Sequence, residues 1–212
     1  MPNRRTFLCR LSALAGLTLF PLAAPVRAAL VPERQALLSD IESYLQGLRY
    51  LEARFSQIGP YGDLATGTFY LWRPGRLRIE YDPPSQVLLL ATDWRLIFYD
   101  GSIDQVTTIP LAQTPLGFLL AADVDLEKEV EVRGLEASDR EITVTVVRRQ
   151  APDQGSVTLV FARRPMELRR WTVIDPQGLA TRVILEEIRT DAPIDPDLFR
   201  WRDPRIFGNA GD

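Results

Sequence analysis

The hydrophobic pattern of this chain changes period once, and the change separates one helix from a long run of strands. Leu37, Leu38, Ile41, Tyr44, Leu45 and Leu48 recur at the three-and-four spacing of a single helical face. Glu33, Arg34, Asp40, Gln46 and Arg49 fall opposite, and Pro32 suits a first helical position, where no amide hydrogen is needed. A stripe of this kind must cover something apolar. From Leu51 the period becomes two. Leu51–Ile58, Thr66–Trp72, Arg76–Tyr81, Gln86–Ala91 and Arg95–Asp100 read as short strands separated by Gly, Pro and Asp turn signals. Ile142, Val144 and Val146, then Val157, Leu159 and Phe161, alternate with polar neighbours, and two more strands flank the turn Asp175-Pro176-Gln177-Gly178. In the first of those two strands Trp171 and Val173 fall on one face and Leu168 on the other. Thr114 is placed to cap a short helix with Pro115 at its first position and Leu116–Ala121 apolar all round. The pattern predicts a mainly β, α+β chain: an incomplete antiparallel β-barrel of about 10–11 strands covered by short helices.

The first residues determine where such a domain works. Arg4, Arg5 and Arg10 precede an apolar run from Leu11 to Ala24, too short to span a bilayer, and small residues lead to Ala28. Residues 1–28 therefore read as a cleaved signal peptide and 29–212 as one domain in the periplasm. Asn3-Arg4-Arg5-Thr6-Phe7-Leu8 fits a twin-arginine leader and an ordinary basic one equally well. Cys9, the single cysteine, sits inside the leader, so the mature part has neither disulfide nor thiolate ligand. Removing the four arginines of the leader takes the formal charge from −3 to −7, a poor balance for nucleic acid.

Composition then excludes most chemistry. The chain has no histidine, and with it go the usual general base and the commonest metal ligand. No phosphate loop, nucleophile elbow or metal spacing occurs. Glu186 and Glu187 are neighbours on a strand and are expected to face opposite ways. A carrier or binding protein without metal or cofactor, working as a monomer, fits better than an enzyme.

The most informative stretch runs from Gly67 to Pro84. It reads as a β-hairpin turning at Arg73-Pro74-Gly75, with Leu77, Ile79 and Tyr81 on the inner face and Arg76, Arg78 and Glu80 on the outer. Arg73 sits at the rim, where a guanidinium can donate to several carbonyls. The order Phe69-x-Leu71-x-Arg73-Pro74-Gly75-x-Leu77-Arg78-x-x-Tyr81-x-x-Pro84 resembles the hallmark of the LolA family, periplasmic carriers of lipoproteins between inner and outer membrane. Ala53–Gln57, Ile97–Asp100, Asp104–Thr107, Thr114–Leu116, Trp171–Asp175 and Ile194–Phe199 match in the same order, so the resemblance spans residues 33–200.

That resemblance implies an apolar cavity for acyl chains beneath a helical lid. It also implies loading by an inner-membrane ABC transporter, delivery to an outer-membrane acceptor, and an arginine, here Arg73, that holds the lid when the cavity is empty. The residues it singles out with the strand faces are Arg73, Leu37, Ile41, Leu77, Ile79, Tyr81, Leu88, Leu90, Phe98, Phe118, Leu119 and Leu120. Two other readings stay open. The apolar residues also suit an ordinary core, and Arg73 a solvated loop arginine stacked on Trp72. A LolA-like sensor, or a carrier of another glycolipid or amphiphile, would use the same parts.

Overall fold

A computed structural model describes residues 27–114 and 117–207. The expected leader lies outside these residues except for Arg27 and Ala28, as do Cys9, Pro115 and Leu116. Helix α1 spans Arg27–Gly47, so Pro32 falls within the helix and not at its start. Ala28, Ala29 and Leu30 are good helix formers, and Pro32 removes one amide donor without ending the turn.

After α1 come β1 (Tyr50–Ile58), β2 (Leu64–Trp72), β3 (Arg76–Tyr81), β4 (Val87–Thr92), β5 (Arg95–Asp100) and β6 (Gln105–Pro110). A crossing segment containing the short helix α2 (Leu126–Glu129) leads to β7 (Val130–Ala137), β8 (Glu141–Arg148), β9 (Ser156–Arg163), β10 (Met166–Ile174) and β11 (Ala180–Arg189). Within β1–β6 and within β7–β11 each strand pairs antiparallel with its neighbour in sequence, and β1 pairs with β11. The two meanders thus merge into one sheet of 11 strands, with β6 and β7 as its free edges. This is the open antiparallel sheet that the hydrophobic pattern predicts. The main cover, however, is one helix of 21 residues and not several short ones.

The two edge strands lie outside the runs read as strands. Along β6 every residue except Val106 is exposed, because an edge strand has one neighbour and a weak need to alternate. In β7 Val130 and Val132 begin to alternate, then a bulge at Gly134 breaks the register. Bulges also correct two expected faces. The one between Leu168 and Arg170 brings Leu168 to the same buried side as Trp171. At Glu187 the backbone is left-handed, with φ 51°, where the β1–β11 register slips, so Glu186 and Glu187 are both exposed.

The apolar stripe of α1 packs on the inner face of the sheet. Leu38, Ile41, Leu45 and Leu48 join Leu51 and Phe55 of β1, Phe69 of β2, Val144 of β8 and Leu159 of β9 in the main core. Each such side chain contributes about 1.5–3 kcal/mol by leaving water. Tyr44 meets Phe161 edge-on at 5.8 Å, and its hydroxyl accepts the Leu168 N–H at 3.1 Å, next to the β10 bulge. A smaller cluster lies on the outer face, where the C-terminal tail lays Ile194 and Phe199 over Leu90 and Ile97. The last described residues of the tail form a short helix, α3 (Pro204–Phe207).

Candidate functional site

The site is built where the crossing segment meets the β2–β3 turn. Arg73 follows β2, and its N–H donates to the Arg49 carbonyl at 2.9 Å, fixing the turn to the end of α1. Gly75 has φ 76°, a left-handed conformation that glycine adopts without strain, and its N–H donates to the Leu120 carbonyl at 2.9 Å. The Arg73 side chain folds inward and is only 6% exposed. Nη2 donates to the Ala121 carbonyl at 2.6 Å, while Nε and Nη1 have no partner among the described residues. Burial, with no carboxylate beside it, pulls the guanidinium below its ordinary proton affinity. It is Arg76, not Arg73, that stacks on Trp72, at 4.1 Å.

Arg73 borders an apolar pocket between Leu45 of α1 and Leu48 just after it, Phe69 and Leu71 of β2, and Trp171 of β10. Leu119 and Leu120 of the crossing segment form its roof. Its volume of about 30 Å³ leaves room for only a few water-sized molecules. The site as it stands is closed.

The roof is held by polar ties. The Leu111 N–H donates to the Trp94 carbonyl at 2.9 Å, and Arg148 Nη1 donates to the Ala112 carbonyl at 3.1 Å. On the other side, Glu42 Oε1 accepts the Leu126 N–H at 2.9 Å and Gln46 Oε1 accepts the Val124 N–H at 3.1 Å. Residues 111–114 and 117–129 therefore belong to a strap tethered at both ends to α1 and the sheet, with Arg73 near its middle. One expectation for this segment changes. Thr114 ends the preceding 3-10 turn, Leu111–Gln113, and its hydroxyl donates to the Leu111 carbonyl at 2.8 Å; Pro115 and Leu116, the expected first positions of the following helix, lie outside the described residues. The apolar run then forms a second 3-10 turn over Gly117–Leu120, with Phe118 and Leu120 buried.

Leu37, Ile41, Leu77, Ile79, Tyr81, Phe118, Leu119 and Leu120 all belong to the main core or pack against it. Phe98 shares the inner face through the row Ile79–Leu89–Phe98, but lies near the β6 edge and is 37% exposed. Its neighbour Ile109 is 39% exposed. The inner face of β4–β6 thus presents apolar side chains that α1 does not cover. Leu88 and Leu90 are not brought to this site. Register pairs them with Tyr99 and Ile97 on the outer face, Leu90 beneath the C-terminal tail. Leu88, Leu89 and Leu90 are consecutive and apolar, so no alternation shows which face is inner. Glu42 and Gln46 carry no sequence signal at all; two polar residues one helical turn apart look like any solvated face.

An open antiparallel sheet wrapped on one helix, with a tethered strap over an apolar pocket, defines the class of this protein. The family model described as outer membrane lipoprotein carrier protein LolA matches residues 46–202, and the chain belongs to that family. An outer-membrane lipoprotein carrier protein of Methylococcus capsulatus is 27% identical over 175 residues, covering 78% of this chain and 83% of the relative. One from Nitrosomonas europaea is 26% identical over 196 residues, covering 88% of this chain and 94% of the relative. A crystal structure of a LolA superfamily protein from Nitrosomonas europaea superposes with a TM-score of 0.46 at 10% identity, covering 79% of this chain and 97% of that one.

Proposed function

We propose that this protein is a periplasmic carrier that takes lipoprotein acyl chains beneath its strap and moves them from the inner to the outer membrane. The observation that carries the reading is the closed apolar pocket with Arg73 buried at its edge, tied to the strap by a single side-chain bond. Three acyl chains hold about 40 CH₂ groups, each worth about 0.8 kcal/mol on leaving water, so free transit would cost tens of kcal/mol. A shielded site is required. Release is also required, and a strap that refills the site with Leu119 and Leu120 competes with the cargo for the same apolar surface.

In this reading residues 1–28 are the leader, an inner-membrane ABC transporter loads the protein, and an outer-membrane acceptor receives the cargo. Cleavage after Ala28 would put Pro32 in the first helical turn, where its missing N–H costs nothing. Leu77, Ile79, Tyr81 and Phe98 would line the opened site, with Leu37 and Ile41 behind it. Catalysis plays no part. The test is transfer in vitro: inner-membrane vesicles carrying a triacylated lipoprotein and its transporter are mixed with the folded, mature protein. Soluble cargo in a one-to-one complex is expected, with acyl chains seen in the complex by native mass spectrometry. Folded protein that leaves all cargo on the vesicles, or that carries a different amphiphile, refutes the reading.

A further inference from the structure

We propose that the end of the sheet carrying the β2–β3 and β4–β5 turns is a docking face for the anionic headgroup layer of a phospholipid membrane. The inference goes beyond acyl-chain carriage and stands without it. A groove of about 830 Å³ opens there between the outer face of the sheet and the C-terminal tail. Its floor is aromatic and apolar, with Trp72, Ile97 and Phe199, and Trp201 stands beside them. Its walls hold Arg76, Arg95, Arg200 and Arg202, against Asp93 as the carboxylate in the lining. Arg200 also leans on Asp197 at 3.1 Å. Just beyond the groove, Arg49 lies over the Tyr50 ring at 5.3 Å, and Tyr50 meets Trp72 at 5.6 Å.

The turn above the groove adds a second observation. Asp93 and Trp94 hold left-handed backbone conformations, with φ 48° and 58°, in a two-residue turn where glycine or asparagine is usual. The strained turn keeps the Trp94 indole against Gly75 and 58% exposed, instead of turning it into the sheet. Backbone strain of this kind persists where a side chain must be presented.

Charge complementarity and shape select the occupant. The whole chain is net negative, at −3, so an anionic bilayer repels it on average and only a local cationic face can approach. Guanidinium groups fit phosphate oxygens bidentately, and indoles settle at headgroup depth with one side apolar and the other wet. An acidic polypeptide would satisfy the arginines but leave Trp94 in water. A phospholipid interface satisfies both.

The test uses the mature protein and vesicles of phosphatidylcholine, with or without about one-third phosphatidylglycerol. Sedimentation should show binding to the anionic vesicles and little to the neutral ones, with a blue shift of tryptophan emission. Binding should fall steeply as salt approaches about 1 M, where the Debye length is about 3 Å. Arg95 and Arg202 are both exposed and lie outside the strap and its pocket. The double variant Arg95→Glu, Arg202→Glu should bind anionic vesicles at least 25-fold more weakly, at about fivefold per arginine lost. Its thermal midpoint and its binding of a fluorescent fatty acid should stay unchanged, which separates this outcome from any failure of the carrier reading. Equal binding to neutral vesicles, an undiminished double variant, or binding to polyglutamate without binding to vesicles each overturns the proposal.

Discussion

Arg73 is buried beside an apolar pocket with one side-chain hydrogen bond, although its fork of N–H donors is built to make several. A charged donor to a carbonyl contributes about 1.5–3 kcal/mol, whereas each donor left without a partner costs about 1–3 kcal/mol. Two such donors outweigh one bond. The arginine therefore ties the strap down and at the same time makes the closed state less stable than an apolar residue would. Arg73→Leu should raise the stability of the empty protein by about 1–3 kcal/mol, as replacing buried charge by apolar volume does elsewhere. The thermal midpoint should rise by roughly 2–4 °C per kcal/mol in a chain of this size. A deeper closed state opens less often, so uptake of a fluorescent fatty acid should slow about tenfold for each 1.4 kcal/mol. An unchanged midpoint together with unchanged uptake would sink this account. Arg73 itself is legible in the sequence, because its place in the Arg-Pro-Gly turn is read directly from neighbours along the chain. Its burial is not, since that depends on Ala121, 48 residues away.

Among the elements, the strap is the part least able to hold itself. It has two 3-10 turns and one short helix, and much of its attachment passes through two side chains of α1. The bond from Leu126 to Glu42 ends on an ionised acceptor and is worth about 1.5–3 kcal/mol, the one from Val124 to Gln46 about 0.5–1.5 kcal/mol. In a Glu42→Ala, Gln46→Ala variant the amides of Val124 and Leu126 should exchange at least tenfold faster, with β1 and β2 amides unaffected. Hydrogen exchange read by mass spectrometry checks this; uniform protection across the strap would show that its packing alone holds it. Helix α1 and the strands with strong alternation were readable because each buries one face against a fixed partner. Edge strands β6 and β7 were not, because exposure on the open side removes the pattern. Bulges at Leu168 and Glu187 are likewise silent, since each shifts the register without a glycine or proline to mark it.

For the whole molecule, the topology places the strap between the two free edges of one sheet. The segment that links β6 to β7 must cross from one meander to the other, and it crosses over the apolar inner face. Its closed state leaves only about 30 Å³ in the pocket, so an apolar ligand cannot enter before the strap moves. Binding of a fluorescent fatty acid followed by stopped flow should then show an observed rate that saturates as ligand concentration rises, with the plateau set by opening. A rate that climbs linearly without limit would mean that the inner face of β4–β6, where Phe98 and Ile109 are exposed, is an open site already.

Local rules were enough for what the sequence determined: a helix with one apolar stripe, a series of antiparallel strands, and a hairpin turn that ends on Arg73. Each depends on residues close together in the chain, where spacing and turn chemistry act directly. Tertiary structure decided which face of each strand is inner. It sent Leu88 and Leu90 to the outer face and brought Leu168 to the inner one, because register is a pairing between distant segments and a single bulge reverses it. It also decided that Arg73 is buried and that Glu42 and Gln46 hold the strap, because those contacts join residues about 50 to 80 positions apart, a separation at which spacing in the chain carries no signal.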